Sequence, residues 1–167
     1  MRAGGASWWA TKTRQFRSHV RARVGSEERR ALAGWVPASA LALFDAMHVA
    51  DRRHGLDVVA SLRASGVSDR DVLLAGLLHD AGKGDTGVWP RVAWSLGEVL
   101  GPWVRTLADR LPGMRAPLRR LREHAVASAR LAQAAGCSTR TVELIRHQDA
   151  PRDPEFGELL RLADEAN

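Results

Sequence analysis

At 167 residues, with 45% hydrophobic side chains and 26% charged ones, the chain is long enough to bury one sizeable core and too short for two full domains. The single cysteine, Cys137, excludes an intramolecular disulfide and any multi-cysteine zinc pattern, which favours a reducing, cytoplasmic setting and leaves histidines and carboxylates as the metal donors. The formal charge of +6 lies entirely in residues 1–26, which carry Arg2, Lys12, Arg14, Arg17, Arg21 and Arg23 and no acid; residues 27–167 balance 19 basic against 19 acidic side chains, so a DNA-binding face is not expected.

The elements follow in chain order. The arm "SWWATKTRQFRSHVRARV" reads as a solvated helix packing Trp8 or Trp9 and Phe16 on the body; contact with RNA, anionic lipid or a phosphorylated substrate, or an organellar transit role, is its alternative reading. No uninterrupted apolar stretch follows the N-terminus, so a secretory signal is not expected. Pro37 suits a first helical turn, and Leu41, Phe44 and Met47 recur every three residues behind it. A helix is predicted from about Asp51, a candidate N-cap, through His54, Val58, Val59 and Leu62. Ser68 with Asp71 resembles a capping box, opening a helix that ends near Gly82.

The segment 88–107 carries Arg91, Glu98 and Arg105 and is interrupted by Pro90 and Pro102, which rules it out as a transmembrane span. Its Trp89, Val92, Leu96, Leu100 and Trp103 recur at helical spacing, giving an amphipathic segment bent near Gly101-Pro102 and expected to pack in the core or to cover a cleft, with an interfacial helix as the alternative reading. Leu118, Leu121, Ala125 and Ala132 form an apolar stripe between Pro117 and Gly136. Ser138 or Thr139 caps a helix through about His147, and Asp153-Pro154 starts the last one. With no alternating strand pattern and no repeat, the chain reads as a single all-α domain: a basic arm and leading helices over 1–50, packed on a main body over 51–167.

Polar candidates fall on separate elements of that body: His54, the adjacent His79-Asp80, His124, His147 and Asp164. Four imidazoles and two carboxylates are the donor set that two divalent ions require. Successive helical residues point about 100° apart, so His79 and Asp80 serve one cluster only at a helix end; there Asp80 can bridge two ions, while His79 binds one. His19 and His48 are read as structural, and Asp149 as solvated.

The blocks "DRRHGLDVVASL", "LLAGLLHDAGK", "REHAVASARLAQAAG", "VELIRHQD" and "LLRLADEAN" resemble the HD superfamily of metal-dependent phosphohydrolases, in its dinuclear H…HD…H…H…D branch. The last three are similar to stretches of small bacterial HD hydrolases acting on dinucleoside polyphosphates. The resemblance implies a helical HD domain over 51–167. Its metal ligands would be His54, His79, Asp80, His124, His147 and Asp164, holding two ions drawn from Mn, Fe, Co, Ni, Zn or Mg. It also implies hydrolysis of a phosphoester or phosphoanhydride, with a nucleotide as the favoured small phosphorylated substrate. The text "RHQDAPRDPEFG" lacks both the His-His pair and the GYP signature of the branch that hydrolyses cyclic dinucleotides, so that activity is not expected.

In the expected mechanism, metal coordination lowers the pKa of water from about 15.7 toward roughly 7. Asp80 bridges the ions, and Lys83 with Arg53 neutralises the phosphoryl oxygens. Substrate choice is assigned to the Trp-rich 85–117 segment, where Trp89 or Trp94 either stacks a base or, as favoured here, fills core. Two other readings share the ligand set: a mixed-valent di-iron oxygenase and a non-catalytic nucleotide sensor.

Overall fold

The computed structural model describes residues 23–167, which form nine helices and no strand among them. In chain order they are α1 (Ser26–Ala33), α2 (Ala38–Ala46), α3 (Val49–Ala64), α4 (Arg70–Leu78), α5 (Val88–Leu100), α6 (Pro102–Ala108), α7 (Arg115–Ala134), α8 (Thr139–Arg146) and α9 (Gly157–Ala166). The all-α expectation holds. The contacts assigned to Trp8, Trp9, Phe16 and His19 lie outside the described residues.

Helix α4 organises the rest. Every residue from Val72 to Leu78 is buried, and a helix apolar on all sides belongs at the centre of a bundle rather than on its surface. Leu77 and Leu78 are fully enclosed, each worth about 1.5–3 kcal/mol of burial. Around α4 pack α3, α8, α9 and α2, joined in one core by Phe44, Val58, Leu62, Ile145 and Leu160. The predicted stripes of α2 and α7 face inward as expected: Leu41, Phe44, Met47, Leu118, Leu121, Ala125 and Ala132 are all buried.

Local signals place most helix ends within a few residues. Ser138 Oγ accepts from Thr141 N at 3.1 Å and caps α8. The cap of α4 is Asp69 rather than Ser68: its Oδ1 accepts from Asp71 N at 2.8 Å and Val72 N at 3.3 Å. Asp51 is likewise not a cap, because α3 begins two residues earlier, with His48 Nδ1 accepting from Ala50 N. Asp153 accepts from Glu155 N and Phe156 N, ordering a turn that delays α9 to Gly157.

The predicted bend at Gly101-Pro102 separates α5 from α6: Gly101 has φ +106° and Pro102 opens the new helix. The expected core role of this segment is only partly met. Trp94 and Ala93 pack on a small second cluster of Ala108, Leu118 and Leu121, whereas Trp89 is 76% and Trp103 60% exposed.

Candidate metal centre

The apolar helix α4 ends inside the protein, and its last turn carries the polar groups. His79 is the C-cap, in helical backbone, and Asp80 follows in a turn closed by Lys83 N donating to Asp80 O at 3.0 Å. The two are 1% and 2% exposed. Two glycines let neighbouring backbones reach this turn. A Cβ on Gly55 would lie 2.6 Å from Leu77 O, so α3 meets α4 closely beside His54. A Cβ on Gly82 would lie 2.5 Å from Ser128 N and 2.6 Å from His124 O, and Gly82 N donates to the buried Ser128 Oγ at 2.8 Å. That contact fastens the turn to α7 one helical turn beyond His124.

Five of the six predicted ligands converge. His54 Nε2 donates to Asp164 Oδ1 at 2.7 Å, and His79 Nε2 lies 3.2 Å from the same oxygen. His54, His79 and Asp164 each offer a donor atom within 4.8 Å of the others, with the two rings edge to face at 5.1 Å. Asp80 Oδ1 extends the group, 3.5 Å from His79 Nε2 and 3.6 Å from His124 Nε2. His79 and His124 are oriented alike: each Nδ1–H donates to a carbonyl three residues back, Gly76 O at 2.9 Å and Leu121 O at 2.8 Å. Such a bond directs Nε2 toward the cluster, the arrangement found behind metal-bound imidazoles.

The electrostatics match a cation-binding pocket. Burial alone would neutralise His79, but Asp80 and Asp164 outweigh it and raise its pKa to about 9. Burial opposes ionisation of Asp80, yet His79 and Lys83 hold its carboxyl well below the usual range; Asp164 is lowered in the same way, chiefly by His54 and His79. Despite these charges, His79 Nε2 and Asp80 Oδ1 are fully buried and neither makes an aligned hydrogen bond. Leaving such atoms unpaired costs about 1–3 kcal/mol each, more when charged. A divalent ion would satisfy both atoms, so the donor set fits one by chemistry and by its unsatisfied atoms.

Protein-family models, curated proteins and solved structures give no significant match to this chain. The site therefore rests on its own geometry.

The remaining predicted residues divide. Lys83 joins the cluster: its Nζ donates to Asp80 Oδ2 at 2.5 Å while its side chain stays 23% exposed. Arg53 does not join. Its guanidinium is held by Glu28 at 2.5 Å and Asp57 at 2.7 Å, tying α3 to α1; residues 53 and 54 diverge by about 100° on a helix. His147 also stands apart. It is the C-cap of α8, with Nε2 3.3 Å from Glu143 Oε2, and it lines a cavity of about 210 Å³ with Arg140, Arg152 and Asp153.

Sequence reasoning missed Gln148 and a buried ion pair. Gln148, 5% exposed, donates from Nε2 to His124 Nε2 at 2.8 Å, and its Oε1 is buried without a partner. Its only sequence signal was adjacency to His147. Asp51, 3% exposed, accepts from Arg91 Nη1 and Nη2 at 2.7 and 2.8 Å, and Arg91 Nε donates to Thr86 Oγ1 at 3.0 Å. This forked pair draws the loop after Lys83 onto α3, one turn from His54.

Proposed function

We propose that the chain is a metal-dependent phosphohydrolase acting on a phosphoester or phosphoanhydride, with nucleotides the favoured substrates. The observation that carries the reading is the buried, unpaired Asp80 Oδ1 and His79 Nε2 beside His54 and Asp164. His54, His79, Asp80 and Asp164 would hold a divalent ion, which when bound would supply a Lewis acid for a phosphoryl oxygen and lower the pKa of water toward roughly 7. Asp80, whose Oδ1 faces both His79 and His124, would be the carboxylate shared if a second ion were bound. That second position has Asp80 and His124 in place, but His147 is engaged with Glu143 and Gln148 occupies the near side of His124.

The chain's own residues have separable tasks. Gly76 O and Leu121 O fix two imidazoles, Lys83 balances Asp80 while keeping a solvent-facing side for a phosphate, and the Arg91–Asp51 pair holds the adjoining loop. The order of the donors along the chain resembles the dinuclear HD branch and is shared by the oxygenase reading; Lys83, a cation on Asp80 with a solvent-facing side suited to a phosphate, is what supports hydrolysis.

The test is release of phosphate or nucleotide from a panel of dinucleoside polyphosphates, nucleoside triphosphates and monophosphates with Mn²⁺, Co²⁺, Fe²⁺ or Mg²⁺. Asp164→Asn, at the partly exposed rim, and Asp80→Ala should each abolish turnover. Unchanged turnover in both, or no metal in protein purified without chelators, would overturn the assignment. Substrate-dependent oxygen uptake with no phosphate release would instead establish the oxygenase.

A further inference from the structure

Helix α5 carries an apolar stripe on its outward side that the core does not cover. At about 100° per residue, Val88, Trp89, Val92, Leu96, Val99 and Leu100 fall within about 120° of arc. None of the six is buried, and Val88, Trp89, Val99 and Leu100 are 44–76% exposed. The opposite side supplies the packing, through Ala93 and Trp94 on α7 and Gly97 against Arg105. Beyond the bend the exposed apolar surface continues through Trp103, Leu107 and Leu111, four residues apart and 54–60% exposed. Trp103 Nε1 donates to Leu100 O at 2.7 Å, so this ring can enter an apolar phase without stranding its N–H.

The charge of this stretch of chain points to its occupant. Residues 88–122 carry seven arginines against two acids, while the rest of 27–167 carries twelve basic and seventeen acidic side chains. The body is neutral in sum but strongly polarised. Arg110 adjoins Leu111, and Arg115, Arg119 and Arg122 share one exposed stripe of α7 within about 60° of arc. Exposed Trp and Leu flanked by Arg is the composition of an element lying in a bilayer interface. A second copy of this chain would bring the same arginines against one another across a two-fold axis. We propose that α5 and α6 seat this face on an anionic lipid surface, with the α7 arginines meeting the headgroups.

The experiment is co-sedimentation of the full-length protein with phosphatidylcholine vesicles, with and without phosphatidylglycerol, at low and high salt. Three variants accompany it: Trp103→Ser with Leu107→Ser; Arg115→Gln with Arg119→Gln and Arg122→Gln; and Arg14→Gln with Arg17→Gln and Arg21→Gln in the basic arm. All the substituted residues in the first two are exposed or half-buried, and far-UV circular dichroism checks that they fold. Binding should require phosphatidylglycerol and weaken with salt. Neutralising the three α7 arginines should lower partitioning about a hundredfold, at roughly fivefold per basic residue near an anionic surface, and the Trp103/Leu107 variant should lose binding, while the arm variant keeps most of it. No vesicle binding, or binding lost only in the arm variant, would overturn the proposal. So would a dimer in solution that the Trp103/Leu107 change dissociates.

Discussion

Changing Lys83 to Met tests whether the centre is built for a cation. Lys83 is the one side chain that hydrogen-bonds the fully buried Asp80 carboxylate among the described residues, at 2.5 Å on Oδ2. Removing one partner of a buried ion pair costs about 3–5 kcal/mol, because the other charge is left uncompensated. Lys83 is 23% exposed on its side chain, so solvent reaches the pair and the lower end, about 3 kcal/mol, applies. In a domain of this size that corresponds to a fall in Tm of about 6–12 °C. A divalent ion on Asp80 Oδ1 would replace the lost positive charge, so the deficit should shrink to about a third in saturating Mn²⁺. The assay is urea and thermal denaturation of both proteins in excess EDTA and in Mn²⁺. Equal destabilisation in the two conditions would refute the reasoning, since it would mean that no ion shares the carboxylate with Lys83.

Gly82→Ala should reduce metal affinity at least tenfold, because its Cβ meets backbone atoms of α7 at 2.5–2.6 Å and must push His124 from Asp80; isothermal titration with Mn²⁺ measures this. Arg91→Ala should destabilise by about 3–5 kcal/mol by leaving Asp51 buried and unpaired, and Arg91→Lys should recover only part because one point charge replaces the fork; urea unfolding gives both values. For pH, His79 is raised to about 9 from 6.5, so in metal-free protein its contribution is complete below pH 6.5 and disappears as pH rises through about 9. Asp80 and Asp164 are lowered, so theirs is present above the ordinary carboxylate range and lost as pH falls through their depressed values. Unfolding free energy in EDTA should therefore decline above neutrality, and a profile flat from pH 6.5 to about 9 would contradict this. Metal binding below pH 9 should release the His79 proton, read as a buffer-dependent enthalpy.

The helical class and the inward stripes of α2 and α7 were legible because apolar periodicity is written in residue type alone; the central place of "VLLAGLL" was not read from its sequence. The convergence of His54, His79, Asp80, His124 and Asp164 was legible only through the order of these residues along the chain, which resembles the HD pattern, since an isolated His or Asp on a helix does not by itself show which way it faces. His147 was not resolvable in that way. It stands where α8 ends, and one residue of turn decides whether position 147 or 148 faces His124; the structure turns Gln148 inward and leaves His147 beside Glu143. Arg53 points away from the cluster, since adjacency to His54 along the helix turns it toward Glu28 and Asp57. The Arg91–Asp51 pair joins residues 40 apart, and a long-range ion pair leaves no periodic trace. For α5, amphipathicity showed that an apolar stripe exists but not which way it faces. Ala93 and Trp94 win the inward side because small and flat side chains admit the close packing on Leu118 and Leu121.

The arrangement of charge also bears on how metal and fold depend on one another. Asp80 and His79 are both enclosed, and their attraction offsets the cost of burying them, yet each keeps an unpaired atom facing the other at 3.5 Å. The geometry is too long for a hydrogen bond and suits an ion between the two atoms. The groups around them belong to α3, the α4 turn, α7 and α9, so an ion held there would cross-link elements far apart in sequence. Binding to the folded state alone contributes about 2.7 kcal/mol at a hundredfold excess over Kd, and Tm should rise with metal concentration without a plateau until solubility intervenes. In Asp164→Asn the Asp80 and Lys83 pair is intact and the fold should persist in EDTA, but this metal-dependent rise should be largely lost. A Tm that climbs equally in wild type and Asp164→Asn would locate the ion somewhere other than among His54, His79, Asp80 and Asp164.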